Sequence, residues 1–394
     1  MRVDVRCVLV RGLMGFIVAA ASVAGARAQV QEKMTPVLLK VEDAPVPFLG
    51  SDGRMHLVYE LWMTNFSSAD VTVEKVEVLS EGSVVQGFDA AAIAGRLQPA
   101  GQREPVGKLA GSAQALLFLH VTLATGGTVP TKISHRVLLH ANAAPPGQQE
   151  ITEESAETTV NRRTVALIGP PLVGEGYISA DSCCDASRHT RAAMPINGRV
   201  WVAQRYAVDW EQLDGEGCIY NGPQEKVESY TIFGKPVLAV ADGVVAAVTE
   251  GLPEQTPGKY PTNIPLNEAD GNSVILELGL GRYAMYAHMQ PGSIKVHRGD
   301  RVKTGQVIGL VGNTGNSLVP HLHFQVMDRP SSLASNGLPY EIRSFEIEGS
   351  TAGTEAFDQA EAKGTPLLVT RITTVREAKG ELPLDQLVIS FPGR

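Results

Sequence analysis

Over residues 30 to about 165, apolar and polar residues alternate in short runs, and no helical period persists. Met55 to Phe66, Val71 to Leu79, Ala115 to Leu123 and Ile133 to His140 are such runs, each bounded by clusters of glycine, proline, asparagine and serine. A two-residue period puts successive side chains on opposite faces of a strand, so these segments fold only as half-buried strands joined by turns. The pattern predicts a β-sandwich of immunoglobulin-like size over residues 29–165. His56, His120, His135 and His140 fall on these strands and are read as sheet-face residues.

Gly169-Pro170-Pro171 breaks the chain and marks a boundary. A second strand-rich domain is expected over 166–348. Pro195-Ile196-Asn197-Gly198-Arg199 contains an Asn-Gly hairpin signal. Further strands are expected at Val237 to Val248, Ser273 to Leu278, Arg282 to His288, Val302 to Val311 and Leu322 to Met327. Residues 349–394 form an extension with a polar linker and two more strand-like runs, Pro366 to Val375 and Leu387 to Phe391. The fold class is therefore all-β. The formal net charge of −8 argues against a generic nucleic-acid binder.

Residues 1–28 have the form of a signal peptide. Arg2, Arg6 and Arg11 precede an apolar run from Leu13 to Gly25, and Ala26-Arg27-Ala28 fits a cleavage site. The run is shorter than the ~20 residues a membrane span needs, and no later run is long enough. The expectation is an exported protein, periplasmic or secreted, with no transmembrane segment in the mature chain. Export permits disulfides. Of Cys183, Cys184 and Cys218, the expected pair joins Cys218 to one of the vicinal two.

The chemistry concentrates in four ordered segments. These are Gln204-Arg205-Tyr206-Ala207-Val208-Asp209-Trp210, Gly234 to Val245, Tyr286-Ala287-His288-Met289 with the glycine-rich stretch through Gly315, and His321-Leu322-His323-Phe324. On a strand His321 and His323 project from one face, which suits a metal ligand beside a general base. Asp242-Gly243 and Gly312-Asn313-Thr314-Gly315 read as turns that shape a groove.

In order, spacing and flanking glycines, residues 195–330 resemble the lysostaphin-type zinc endopeptidases, which cut peptide cross-links in peptidoglycan. The resemblance implies a lysostaphin-type antiparallel β-sheet domain with a groove over one face. It implies zinc as cofactor, Asp209 and His323 as metal ligands, and His288 and His321 as catalytic histidines, the four converging in one groove within about 8 Å of each other. The first ligand position, four residues before Asp209, holds Arg205, and Ala207 replaces the family's usual glycine. A guanidinium does not deprotonate to bind a metal. His189 is the candidate substitute. Counted back through a two-residue turn at Asn197-Gly198, it pairs with Tyr206 and points away from the face carrying Arg205, unless a bulge reverses it. Gln204 is a poor zinc ligand, and His297 lies in a turn-like, solvated stretch.

Two functions follow. The first is a zinc metalloendopeptidase acting on peptidoglycan cross-link peptides in the cell envelope. The second is a metal-free groove that binds wall peptides or an envelope partner such as an amidase, with Arg205 paired to Asp209 or to a substrate carboxylate.

Overall fold

The chain builds two sheet systems in succession, seen in a computed structural model that describes residues 34–393. The signal-peptide expectation lies outside the described residues. The first system is a pair of five-stranded sheets. One centres on Met55–Asn65 and Gln114–Thr122, the other on Val71–Ser80 and Lys132–Ala141. Leu57, Tyr59, Leu61 and Met63 from the first meet Val73, Val76, Val78, Val137 and Leu139 from the second in one apolar cluster. The inward residues sit at every second position, except where a bulge between Val73 and Lys75 sets Val73 and Val76 three apart.

Met55–Asn65 is buried along nearly its whole length, including the positions that face away from that cluster. The reason is a second partner. Val58, with Phe48, enters the core of the C-terminal sheet system. The Tyr206 ring meets Phe48 edge-on at 5.5 Å, and its hydroxyl donates to the Val58 carbonyl at 3.3 Å.

The second system is a ten-stranded sheet. At its centre lie Arg282–Met289, Leu322–Met327, Val208–Gln212 and Gly174–Ala180, each antiparallel to the next. Tyr286, Phe324 and Val208 lie in register and point into the core. Alternation therefore sends Ala287, His323 and Asp209, the next residues in register, to the opposite face. The C-terminal strands Leu387–Phe391, Phe345–Thr351 and Val369–Ala378 continue this same sheet beyond Gly174–Ala180.

Several expected elements differ. Val237 to Val248 is two strands: Pro236–Leu238 pairs with Val307–Leu310 in a separate ribbon, and Gly243–Thr249 joins the large sheet. The break falls where the Asp242 carboxylate accepts from the Thr304 amide and hydroxyl, tying two turns together. The polar linker contains a helix, Thr354–Lys363, closed by Gly364 at φ +62°. Only Phe357, Ala360 and Glu361 are buried there, too sparse a stripe to announce a helix by period. The Asn197-Gly198 turn forms, with both residues at positive φ, but its ribbon ends at the Met194–Trp201 pair.

The expected Cys218 disulfide is overturned. Cys183 and Cys184 are bonded to each other, and Cys218 is free. Cys218 instead lies in a tight turn, where its amide donates to the Asp214 carboxylate.

Candidate metal centre

Asp209 and His323 are direct cross-strand partners on the groove face of the large sheet. Cross-strand neighbours on one face are close enough to touch, and the His323 Nδ1 lies 2.8 Å from Asp209 Oδ1. Two residues further on the same strand face, the Gln325 Oε1 lies 2.9 Å from His323 Nε2.

His189 reaches the same carboxylate from a different direction. The hairpin does not extend back to it. It sits in a short helix, Ser187–Thr190, after the turn that follows Gly174–Ala180. Its Nδ1 lies 2.8 Å from the Asp181 carbonyl, and its Nε2 lies 3.3 Å from Asp209 Oδ2. The counting that pointed His189 away assumed a continuous ribbon from 189 to 206, and the helix breaks that count.

His321 precedes its strand. Its Nδ1 lies 2.8 Å from the Val319 carbonyl and its Nε2 lies 3.5 Å from Asp209 Oδ1. His288 follows Ala287, which shares the groove face with His323, and by alternation would enter the core. It has φ +59°, a left-handed conformation that costs a non-glycine residue about 1–2 kcal/mol. That turn brings its ring to 4.6 Å from the His321 ring, between centroids, and 5.9 Å from that of His323. Its Nδ1 is held 2.7 Å from the Thr314 carbonyl. Thr314 in turn is fixed by close backbone contact: a Cβ on Gly271, at φ +62°, would lie 2.4 Å from the Thr314 oxygen.

Arg205 does not join this group. It lies in the tight turn before Val208–Gln212, and its guanidinium donates to Glu60 through Nε at 2.9 Å and Nη2 at 2.6 Å. Nη1 donates to the Gly337 carbonyl at 3.3 Å. The expected Arg205–Asp209 pairing is replaced by an ion pair to the N-terminal sheet.

The hydrogen bonds fix which ring atoms face Asp209. The Asp181 carbonyl and the Gln325 amide oxygen are acceptors only, so His189 Nδ1 and His323 Nε2 carry the protons. Each imidazole then presents a bare inner nitrogen to a carboxylate. Lone pair facing lone pair is repulsive unless a cation lies between them, either an added proton or a metal ion. His189 Nε2, His323 Nδ1 and an Asp209 oxygen all lie within 4.8 Å of one another. Two imidazoles and one carboxylate are a donor set that suits zinc with one position left open, so the residues present fit that ion. Without a metal, burial opposes charge on His189, but the Asp209 carboxylate outweighs it and lifts the imidazole to about 9. Burial also opposes charge on Asp209. The His189 and His321 rings outweigh it and hold the carboxyl well below its usual range. Burial, reinforced by His321 and His323, keeps His288 neutral.

The roles of Gln325 and the Asp181 carbonyl escaped the sequence reading, and Thr314 entered it only as part of a groove-shaping turn. Gln325 left a trace there, two positions after His323 on the same strand face.

The sequence profile of peptidase family M23 matches residues 227–335. The chain carries a peptidase family M23 domain. The matched stretch contains His288, His321 and His323 and leaves His189, Arg205 and Asp209 outside it. The glycyl-glycine endopeptidase ALE-1 of Staphylococcus capitis is 36% identical over 31% of this chain and 30% of its own length. The peptidoglycan DD-endopeptidase ShyA of Vibrio cholerae is 30% identical over 51% of this chain and 48% of its own. Lysostaphin of Staphylococcus simulans is 34% identical over 34% of this chain and 24% of its own. The chain thus spans less than half the length of each of these relatives.

Proposed function

We propose that this protein is a zinc metalloendopeptidase that hydrolyses cross-link peptides of peptidoglycan in the cell envelope. One observation carries the reading: two imidazoles with committed outer protons turn bare nitrogens toward one partly buried carboxylate. His189, Asp209 and His323 would hold the ion. When bound, zinc would polarise the scissile carbonyl and acidify water. His288 and His321 stand beside that position with Nδ1 anchored on a backbone carbonyl, so Nε2 is the atom each offers for proton transfer or oxyanion contact. The neutral state of His288 is the one a general base requires.

The names of the M23 relatives support the substrate class. The N-terminal sequence and the Cys183–Cys184 bond support export to an oxidising compartment. Among the described residues no helix is long and apolar enough to cross a membrane. The metal-free groove reading rested on a guanidinium in the ligand position, and Arg205 is committed to Glu60 instead.

The test is digestion of purified, cross-linked peptidoglycan by the zinc-loaded protein, followed by mass spectrometry of the released fragments. Loss of cross-linked peptides with new amino and carboxyl termini is expected. Intact cross-links, with stoichiometric zinc bound, would overturn the enzymatic reading.

A further inference from the structure

A second group of imidazoles repeats the logic of the metal centre elsewhere in the fold. His56 and His120 stand on adjacent strands of the first N-terminal sheet, on the face turned toward the C-terminal sheet system. His56 Nδ1 and His120 Nε2 lie 2.8 Å apart. Each outer nitrogen is held by a carboxylate: His56 Nε2 by Asp52 Oδ1 at 2.9 Å, and His120 Nδ1 by Asp185 Oδ2 at 2.9 Å. Carboxylates that orient imidazoles in this way are the usual outer partners of metal-binding histidines. With both outer protons directed at carboxylates, the two inner nitrogens are bare and face each other. The Thr122 hydroxyl, at 3.4 and 3.3 Å, has one proton and satisfies one of them at a time.

The third donor comes from the turn after Gly174–Ala180. Cys184 Sγ lies within 4.8 Å of a ring nitrogen of each histidine. Two nitrogens on one tetrahedral zinc sit roughly 3.3 Å apart, given bonds of about 2.0 Å, so the imidazoles need to part by about half an ångström. The cysteine pair borders a cleft of about 460 Å³ that His120 and Asp185 also line, which gives an ion and a reductant a way in.

In its disulfide with Cys183, Cys184 has no thiolate to offer. We propose that His56, His120 and Cys184 form a second, redox-gated site for a zinc-class divalent ion, completed when the Cys183–Cys184 disulfide is reduced. A dithiol reductant supplies two electrons and two protons: the S–S bond breaks, the reductant closes its own disulfide, and two protein thiols result. Cys184 then gives up its proton as the ion binds. The ligand set is one thiolate and two imidazoles, with a fourth position open. The ion fastens the first N-terminal sheet to the segment that also carries His189.

Cobalt(II) tests this on the full-length protein, because a thiolate ligand adds a charge-transfer absorption that imidazoles and carboxylates do not. The oxidised protein should bind cobalt without that absorption. After phosphine reduction and removal of the reductant under argon, one further equivalent should bind with it. Cys183→Ser leaves Cys184 as a thiol and should show the same extra equivalent with no reductant. In that background His120→Asn should abolish the absorption and Cys218→Ser should leave it intact. An absent band in both reduced wild type and Cys183→Ser would overturn the proposal. So would a band that survives His120→Asn or disappears with Cys218→Ser.

Discussion

Arg205 and Glu60 meet as a two-pronged ion pair, Nε and Nη2 on the two carboxylate oxygens at 2.9 and 2.6 Å, with both side chains about 5% exposed. The pair joins the turn before Asp209 to the strand that the two sheet systems share. A buried guanidinium held this way is fixed in geometry and charge.

Removing one partner leaves the other buried and unpaired, which typically costs about 3–5 kcal/mol. Arg205→Ala and Glu60→Ala should each lower the unfolding free energy from urea titration by such an amount, while the joint replacement Glu60→Leu with Arg205→Met should cost much less. Arg205→His should add no tightly held zinc, because the carboxylate already has its imidazoles. A gain of a zinc equivalent in Arg205→His would show that position 205 still addresses the metal centre.

The zinc reading makes His189 indispensable and Gln325 important at one remove. Gln325→Ala frees the His323 ring to change tautomer, and loss of such an outer partner commonly weakens metal affinity 10–100-fold. Competition with a chromophoric chelator should give that decrement for Gln325→Ala and a larger one for His189→Ala. Equal affinities in His189→Ala and wild type would remove His189 from the ligand set.

The alternation in Met55 to Phe66 and Leu322 to Met327 made the strands legible, because burial on a sheet leaves a two-residue period in the sequence. The His-x-His pair was legible for the same reason. His189 was legible only as a candidate, not in its direction, since its place depends on a four-residue helix ahead of the hairpin, and nothing in a linear count reveals such a break. The Arg205 partner was also hidden: Glu60 lies 145 residues away in a sheet whose docking leaves no local signal. The Thr354–Lys363 helix shows the converse, a segment with strong helix formers but a thin apolar stripe.

His135 should make the N-terminal sheets sensitive to acid. It is fully buried, its Nε2 lies 2.8 Å from the Tyr59 hydroxyl, and burial pushes its pKa down to about 4. An unfolded histidine titrates near 6.5. Between those values the unfolded chain binds a proton that the folded chain refuses, so stability falls as pH drops from about 6.5 to 4 and the loss is complete below that. At 1.36 kcal/mol per pH unit, the most this group contributes is about 3 kcal/mol. Urea unfolding across that range should show a shallower acid slope in His135→Gln than in wild type. Parallel slopes would assign the acid sensitivity to other groups.

The two histidines outside the proposed ligand set should separate metal binding from turnover. His288 and His321 anchor Nδ1 on backbone carbonyls and leave Nε2 beside Asp209 and His323. Neither donates to the zinc in this reading, so His288→Ala and His321→Ala should keep stoichiometric zinc. Loss of a positioned proton-transfer group typically costs 10²–10⁴ in rate, and kcat on cross-linked peptidoglycan should fall by that order with KM changed much less. His288 pays for its left-handed backbone with the contact to His321, which makes a smaller, non-catalytic role hard to reconcile with its conformation. His288→Asn, a residue that tolerates positive φ, separates the two effects: it should fold as well as wild type and still be slow. Full activity in His288→Asn would limit His288 to shaping the groove. Loss of zinc in either alanine variant would instead place that histidine among the ligands and require the set around Asp209 to be redrawn.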